Sequence, residues 1–388
     1  MEVNATDVRL TEEQLAAFHE IPDDQGSGIK PAFEKLTTER YYSPEIFEQE
    51  KQAVFMGLPI PLMASAQLPK PNSFLRKDIV GRPVLLTRDS EGKARAFLNV
   101  CRHRGVVLCP EHERQSGKLI VCPFHAWSYS LDGRLMGVPR SEIFEGLQKT
   151  DYRLTELPCE EAGGIVWVGL DPNRTYDFSV ETGQLARELQ GIHLDQTRLF
   201  INKTFTVKAN WKLLMDTTLD SYHVTRLHRN TVATMFDDSP VIVEPIGHHL
   251  RNASARGNFS QSGLSDKISE LRKVAVMTYH LLPSVVVILS PHYTSLEVFR
   301  PISPNETEVE FVMLTNHPAG NPATEEKMQK SFEFMCRVFG DEDFWAAEIG
   351  QQGISTGDLK ELTLGGMEDQ MKTFHNLVDA QIAAHYSA

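Results

Sequence analysis

Two short pairs of cysteine and histidine constrain this chain more than any other feature of its sequence. The first pair is Cys101-x-His103 and the second is Cys122-x-x-His125. Thiolates and imidazoles together bind zinc or iron–sulfur clusters, so the two pairs predict a metal site. A zinc site would use all four side chains on one tetrahedral ion. A Rieske [2Fe–2S] cluster would place the two cysteines on one iron and the two histidines on the other.

The surroundings of the two pairs favour the cluster over zinc. Zinc fingers usually pair two cysteines at short spacing, whereas each pair here mixes Cys with His. Both pairs lie at the ends of predicted strands, and Gly105 and Pro123 suit tight loops around a buried cluster. We therefore predict a Rieske cluster on these four side chains, with Cys109 as a small buried residue that binds no metal.

Length and charge exclude several other classes of protein. The chain has 388 residues, which is typical of two domains, and its formal net charge is -13, which argues against nucleic acid or an anionic membrane as partner. Its five cysteines are too sparse for a disulfide framework. The N-terminal sequence lacks the basic and apolar regions of a signal peptide, and no apolar stretch is long enough to span a bilayer. We expect a cytosolic protein.

The pattern of predicted elements divides the chain into a central all-β part and a mixed remainder. Residues 1–58 look mostly helical, and residues 72–170 carry many short strands with Gly turns, which is typical of a small β domain. The remainder alternates strands with helices and ends in a helical stretch over 323–385 that breaks near 353–357. A sheet followed by long helices indicates α+β packing.

A second candidate site lies on a helix that we predict over 211–227. Asp220 and His223 are three residues apart and share one face of that helix. His223 and His228 are five apart, so on an ideal helix they diverge by about 140°. Both can bind one metal ion only if the helix ends or distorts near 225–227. Other histidines in predicted strands, such as His280, show no local pattern, and we expect structural roles for them.

Both motifs resemble the catalytic (alpha) subunit of the Rieske non-haem iron, aromatic-ring-hydroxylating oxygenases. The first resemblance is in the strings CRHRG and CPFHAW, and the second is in NWK…D…DSYHVTRLH. The resemblance implies that His223 and His228 bind Fe(II) together with a carboxylate, as a facial triad. It also implies that Asp220 is a bridging acid that accepts hydrogen bonds from His223 and from His125 of a neighbouring subunit.

The third iron ligand is sought in the acidic run Gly340-Asp-Glu-Asp-Phe-Trp. Acidic residues at a helix start are ordinarily explained by capping and by the helix dipole. The family spacing places a ligand Asp five residues before a Glu and nine before a Gln, which Asp343, Glu348 and Gln352 match. The resemblance therefore selects Asp343, with Glu342 as the next choice. It leaves the role of Asp216 open.

The resemblance also implies the fold and the partners. An all-β Rieske [2Fe–2S] domain over 59–170 would be inserted in a helix-grip, α+β catalytic domain formed by 1–58 and 171–388, with an antiparallel sheet and a long C-terminal helix. Electrons from NAD(P)H would arrive through a separate reductase or ferredoxin, because the chain has no dinucleotide-binding motif of its own. The expected assembly is a homotrimer, with or without a small β subunit.

The expected reaction is the O2-dependent hydroxylation or dihydroxylation of a small aromatic substrate. An oxidative N- or O-demethylase or a monooxygenase of the same family would use the same iron site, and the sequence does not separate them. An alternative from another class is a non-catalytic electron carrier or zinc-binding protein, which would need no second metal site. The identity of the substrate is not encoded in a recognisable motif.

Overall fold

The structure is a computed structural model that describes residues 9–23, 29–236 and 241–387. The N-terminal segment on which the absence of a signal peptide was predicted therefore lies largely outside the described residues. Within them, no helix combines the length and the apolar character that a membrane crossing requires.

The N-terminal region packs with the C-terminal end of the chain. It contains α1 (Glu12–His19), β1 (Glu34–Thr37) and α2 (Pro44–Glu50), which continues as a π-helix over Lys51–Phe55. Ser43 caps α2, because its hydroxyl accepts the Ile46 N–H at 3.2 Å. The expectation of a mostly helical 1–58 is met in part: residues 1–8 and 24–28 lie outside the described residues, 29–33 are not helical, and β1 pairs antiparallel with β20 (Glu361–Leu364) near the other end of the chain.

The central part of the chain is built from short antiparallel strands, as the Gly-rich turns predicted. One sheet has five strands in the order β10-β5-β4-β3-β6, a second has the order β7-β8-β9, and a third joins β11-β12-β2. The strands are β2 (Ile60–Ala64), β3 (Ser73–Ile79), β4 (Arg82–Arg88), β5 (Ala94–Leu98), β6 (Gln115–Ser116), β7 (Leu119–Val121), β8 (Ser128–Ser130), β9 (Leu135–Gly137), β10 (Glu156–Leu157), β11 (Cys159–Ala162) and β12 (Ile165–Val168).

The remainder is an antiparallel sheet of seven strands flanked by helices, in the order β13-β19-β18-β17-β16-β15-β14. Its strands are β13 (Arg198–Val207), β14 (Ile242–Ile246), β15 (His249–Ala255), β16 (Ala275–Leu281), β17 (Val285–Leu289), β18 (Thr294–Ser303) and β19 (Glu306–Thr315). The helices are α3 (Ser179–Thr182), α4 (Gln184–Gly191), α5 (Trp211–Leu219), α6 (Val224–Leu227), α7 (Ile268–Val274), α8 (Pro322–Arg337), α9 (Trp345–Ile354) and α10 (Asp369–Ser387). A second π-helix, Val338–Phe344, joins α8 to α9.

The seven-stranded sheet buries apolar side chains on both faces. One face packs against α5, the second π-helix and α10, and Phe311 of β19 contacts Phe339 of that π-helix with ring centroids 5.2 Å apart. The other face packs against α1, α4 and β12, where Trp167 is fully buried. Burial on both faces explains the continuous apolar run of β17 (VVVIL), whereas β18 and β19 also carry charged residues such as Glu297 and Glu310.

The single helix predicted over 211–227 is wrong. Helix α5 ends at Leu219, Asp220 takes an extended conformation (φ -91°, ψ 124°), and α6 starts at Val224. The chain thus breaks its helix at Asp220, earlier than the point near 225–227 at which the spacing of the histidines required a distortion.

A buried ion cluster ties the central β part to the seven-stranded sheet. Lys77 of β3 donates to both carboxylate oxygens of Glu310 on β19, at 2.7 and 2.6 Å, and Arg300 of β18 donates to the same carboxylate at 2.8 Å. Lys77 and Glu310 expose 9% and 2% of their side chains. Because buried charges are stable only when paired, these contacts hold the two parts in register.

Candidate metal centres

Two similar loops bring the first four predicted ligands together. In the first loop the Gly105 N–H donates to the carbonyl of Cys101 at 2.9 Å, and in the second the Ala126 N–H donates to the carbonyl of Cys122 at 3.0 Å. Gly105 has φ +74°, a left-handed conformation that favours glycine at this tight turn. The imidazoles of His103 and His125, held by these loops, face each other with ring centroids 4.7 Å apart.

The surroundings of this quartet fit a two-iron cluster. Within the part of the chain that the structure describes, the Nδ1 atoms of His103 and His125 are buried without a hydrogen-bond partner, which leaves two nitrogen donors free for metal. Both cysteines are buried free thiols, and the Tyr129 hydroxyl lies 3.3 Å from the Cys101 sulfur. Burial raises the pKa of the Cys101 thiol. Coordination to iron would lower that pKa again, because iron binds the thiolate form.

The spacing of the four ligand atoms argues against zinc. With Zn–S bonds of about 2.3 Å, one tetrahedral ion would hold its ligand atoms within about 4 Å of one another. Among the residues that the structure describes, the groups of three or more possible ligand atoms within 4.8 Å of one another do not include the Cys–His quartet. A two-iron cluster separates its cysteine pair from its histidine pair, so the wider spacing suits it.

The second set of predicted ligands converges on one point. His223 lies just before the short helix α6 and His228 just after it, so both imidazoles face the same side. Their Nε2 atoms lie 3.4 and 3.2 Å from Oδ1 of Asp343. Asp343 belongs to the π-helix between α8 and α9, a geometry that recurs at functional sites.

The electrostatics of this group favour a cation at its centre. Oδ1 of Asp343 is buried and accepts no hydrogen bond within the described residues. Burial lowers the pKa of His223, but the carboxylates of Asp220 and Asp343 outweigh burial and raise it to about 9. Burial raises the pKa of Asp343, but the two imidazoles outweigh burial and lower it. A divalent metal ion would supply the positive charge that this site attracts, so the donor set fits iron(II).

Each imidazole also contacts a second carboxylate through its other ring nitrogen, Nδ1. Nδ1 of His223 lies 3.1 Å from Oδ2 of Asp220, and Nδ1 of His228 lies 2.6 Å from Oε2 of Glu342. Such contacts fix the tautomer with the proton on Nδ1 and leave Nε2 free as a metal donor. Glu342, the second choice for the third ligand, therefore faces the back of His228 and not the centre of the group.

Other residues singled out from the sequence lie away from this centre. Asp216 is buried and contacts the Tyr41 hydroxyl at 2.7 Å and Nε2 of His375 at 3.0 Å, in the packing between α5 and α10. Glu348 accepts the Lys208 N–H at 2.9 Å, and Gln352 is exposed. The spacing taken from the family therefore points to an acid that lies at this centre, Asp343. The other two residues of that spacing, Glu348 and Gln352, take no part in the site.

A separate group of possible ligands, Glu181, His248 and His249, does not suit a metal. The Leu282 N–H donates to Nδ1 of His249 at 2.9 Å, so that nitrogen is an acceptor. Burial lowers the pKa of His249 to about 4, and its proton must then be on Nε2, which lies 3.3 Å from Oε1 of Glu181. With one nitrogen accepting and the other protonated, His249 has no lone pair for an ion.

Comparison with known families assigns both halves of this architecture. Residues 59–149 match the Rieske [2Fe-2S] domain, and residues 186–384 match the ring hydroxylating alpha subunit (catalytic domain). The chain belongs to the ring-hydroxylating oxygenase alpha subunits. The predicted fold class, the Rieske cluster and the mononuclear iron are thereby confirmed for this alpha subunit.

Curated relatives of this alpha subunit include both monooxygenases and a dioxygenase. The carnitine monooxygenase oxygenase subunit of Escherichia coli is 29% identical over 322 residues, 82% of this chain and 83% of that protein. That of Acinetobacter pittii is 29% identical over 227 residues, so the chain spans about 57% of that relative. The anthranilate 1,2-dioxygenase large subunit of Acinetobacter baylyi is 30% identical over 208 residues, 52% of this chain and 44% of that protein.

Solved structures support the same fold. A quaternary ammonium Rieske monooxygenase in complex with an inhibitor superposes with a TM-score of 0.78 at 22% identity, covering 93% of this chain and 99% of that one. At this identity the likeness shows the fold alone. It matches the β part followed by a mixed antiparallel part that the described elements form.

Proposed function

We propose that this alpha subunit is the terminal oxygenase component of a Rieske system. Its mononuclear Fe(II) would be held by Nε2 of His223, Nε2 of His228 and the carboxylate of Asp343. The convergence of these three groups carries the proposal, since two imidazoles and one carboxylate with open positions are the donor set of non-haem iron oxygenases. The cluster would be held by Cys101, His103, Cys122 and His125, through their Sγ and Nδ1 atoms.

The chain's own residues then position the reacting groups. Glu342 and Asp220 accept hydrogen bonds from the Nδ1–H groups of His228 and His223. Both imidazoles therefore direct an unprotonated Nε2 at the same point. The burial of His228 and Asp343, at 4% and 6% exposure, excludes bulk water from that point. When bound, the cluster supplies electrons and the mononuclear iron supplies the means to activate O2. Those electrons would come from NAD(P)H through a separate reductase or ferredoxin.

We further propose monooxygenation of a small substrate that contains a substituted ammonium group. Support comes from the carnitine monooxygenases and from the quaternary ammonium monooxygenase among the similar proteins. This choice takes the N-demethylase or monooxygenase alternative over the aromatic substrate. Hydroxylation of an aromatic ring is the second candidate, supported by the anthranilate dioxygenase relative.

The proposed assembly is a ring of three identical chains. Asp220 exposes 18% of its side chain and would accept a hydrogen bond from the partner subunit's His125, which would shorten the electron path between chains. Next to the cluster loops, Val121 and Phe124 each expose 53% of their surface, and contact with a second copy would cover these apolar side chains.

The domain limits that we propose remain 59–170 for the Rieske domain and 1–58 with 171–388 for the catalytic domain. A cytosolic location stays a prediction.

The decisive experiment combines metal analysis with a labelled-oxygen assay. About three irons and two acid-labile sulfides per chain are expected, and an Asp343→Ala variant should keep the sulfide and lose the mononuclear iron. Zinc in place of iron would contradict the proposal. With 18-O-labelled O2 and a reductase, a monooxygenase transfers one labelled atom to its product, whereas ring dihydroxylation transfers two.

A further inference from the structure

A row of directly paired residues, one from each of four neighbouring strands, crosses the seven-stranded sheet beneath the proposed iron ligands. Strand pairing aligns His280 of β16 with Val286 of β17, Val286 with Glu297 of β18, and Glu297 with Phe311 of β19. Directly paired residues project to the same face of a sheet. Val286 and Phe311 pack in the same apolar cluster as Phe339 of the second π-helix, so this is the face that carries Asp343.

Glu297 is a buried carboxyl that the fold leaves without a counter-charge. Its exposure is 1%, and in the described part of the chain its Oε1 atom is buried without a hydrogen-bond partner. Burial, and then the nearby Asp343 carboxylate, raise the pKa of Glu297 well above its usual range. An unpaired buried carboxyl costs stability, so its presence indicates a role beyond folding.

The other strongly buried glutamates show how this fold normally treats such a group. Three of them pair with a cationic side chain: Lys212 with Glu50, Arg251 with Glu188, and Lys77 with Glu310. The fourth, Glu181, contacts the neutral imidazole of His249 at 3.3 Å. Among the buried glutamates that the structure describes, Glu297 alone has neither kind of partner, and it lies on the face that carries the proposed iron ligands.

His280 offers a second unpaired acceptor in the same row. The Thr218 hydroxyl donates to the Met215 carbonyl at 2.7 Å, so Nε2 of His280, at 3.0 Å from that hydroxyl, must be the donor. Burial lowers the pKa of His280 to about 4, which leaves the ring neutral and Nδ1 with a lone pair. Among the described residues, that Nδ1 is buried without a partner. Val286 alone separates His280 from Glu297, so the Cα atoms of these two residues are about 10 Å apart, or two strand spacings.

We propose that Glu297 is a specificity-determining residue that selects substrates with a positively charged nitrogen, with His280 as an additional acceptor. This inference rests on the proposed function, because it places the substrate between the row and the iron ligands. A substituted ammonium group beside Glu297 would favour the ionised carboxylate, which burial otherwise disfavours, and would balance its charge. A neutral aromatic ring would leave that carboxyl unpaired, so the second candidate function predicts no dependence on Glu297.

The test compares two probes of the same shape that differ in charge. Choline and 3,3-dimethylbutan-1-ol differ in having a quaternary nitrogen or a quaternary carbon, and their binding to the iron-loaded, cluster-containing protein is measured by calorimetry without O2. We expect choline to bind about 10- to 100-fold more tightly, the range expected for an interaction with a charged group. In Glu297→Gln this ratio should fall close to one.

Two further variants distinguish the effect of losing the Glu297 charge from a general effect on folding. Glu297→Asp keeps the charge and should retain a higher ratio than Glu297→Gln. Glu308→Gln removes a carboxylate on the opposite face of β19, where Arg300 contacts it at 2.9 Å, and should leave the ratio unchanged. An unchanged ratio in Glu297→Gln, or a wild-type protein without preference for choline, overturns the proposal. If Asp343→Ala keeps its mononuclear iron while the ratio depends on Glu297, the proposed iron site fails and the cation site stands.

Discussion

Nδ1 of His228 lies 2.6 Å from Oε2 of Glu342, the residue directly before Asp343 in the chain. Two adjacent acids of one π-helix thus reach the same imidazole from opposite sides, since Oδ1 of Asp343 is 3.2 Å from Nε2 of that ring. Consecutive residues of a helix point in different directions, and His228 fits between the two carboxylates because α6 ends at this point. The two acids therefore have different predicted effects when removed.

Glu342→Ala should weaken the mononuclear iron site without abolishing it. Loss of such an outer carboxylate typically lowers metal affinity about 10- to 100-fold. Asp343→Ala should lose that iron entirely, and both variants should keep the Rieske absorption spectrum. Iron content after dialysis against graded chelator measures the difference. Asp341→Ala, an exposed neighbour, is the control; the opposite ranking of Glu342 and Asp343 would exchange their roles.

Substitution of the cluster histidines should change the Rieske signature selectively. His103→Cys or His125→Cys would replace an Nδ1 donor with a thiolate, so the EPR spectrum should shift toward that of an all-cysteine cluster or disappear. Cys109→Ala is the matched control, because Cys109 is also a buried cysteine of this region and its thiol contacts the Glu111 carbonyl instead. An unchanged Rieske signal in a histidine variant would remove that residue from the ligand set.

Asp220→Asn should stop turnover while both metals and the proposed trimer remain. Its two carboxylate oxygens already contact the Tyr222 N–H at 2.6 Å and Nδ1 of His223 at 3.1 Å, so a further bond to a partner subunit needs the remaining lone pairs. Asn has one acceptor oxygen and would lose the bridge. The rate of cluster-to-iron electron transfer, measured by rapid mixing of reduced protein with O2, should fall steeply. A normal rate, or a fully active monomer, would rule out bridging.

The sequence predicted most strands and the candidate ligands, because alternating strands and metal-binding side chains leave local patterns. It did not predict where the helix over 211–227 breaks, since no Gly or Pro marks Asp220; the break occurs where the Asp220 carboxylate accepts the Tyr222 N–H at 2.6 Å. His280 and Glu297 gave no local signal as site residues, and Glu342 was weighed only as an alternative iron ligand and not as a partner of His228. Their positions follow from a π-helix and from strand pairing, which join residues far apart in the chain.

Lys77→Met should destabilise the protein strongly at neutral pH. Burial raises the pKa of Glu310, but Lys77 and Arg300 outweigh burial and hold it well below its usual range. Removal of Lys77 leaves an unbalanced buried carboxylate, which should lower the free energy of unfolding by about 3–5 kcal/mol. Urea titration measures this. Lys35→Met removes an exposed ion pair with Glu361 and should cost less than about 1 kcal/mol; equal effects of the two variants would contradict the prediction.

The stabilisation by this ion cluster should also depend on pH in a defined direction. A carboxyl whose pKa is depressed by folding contributes stability above its unfolded pKa of about 4.3, and that contribution is lost as the pH falls through the folded value. The difference between wild-type and Lys77→Met proteins should therefore be constant near neutrality and shrink below about pH 4. A difference that grows with acidity would show that Glu310 is not the group involved.

The π-helix Val338–Phe344 makes the iron site sensitive to chain length as well as to residue identity. A π turn accommodates one residue more than an α turn, so deletion of a single residue here would let α8 and α9 run on as one regular helix. Side chains beyond the deletion would rotate by about 100° relative to those before it. Asp343 and both histidines would still be encoded, yet the carboxylate would face away from them. In comparisons of homologues, a gap at this position would thus signal loss of iron even where every ligand residue aligns.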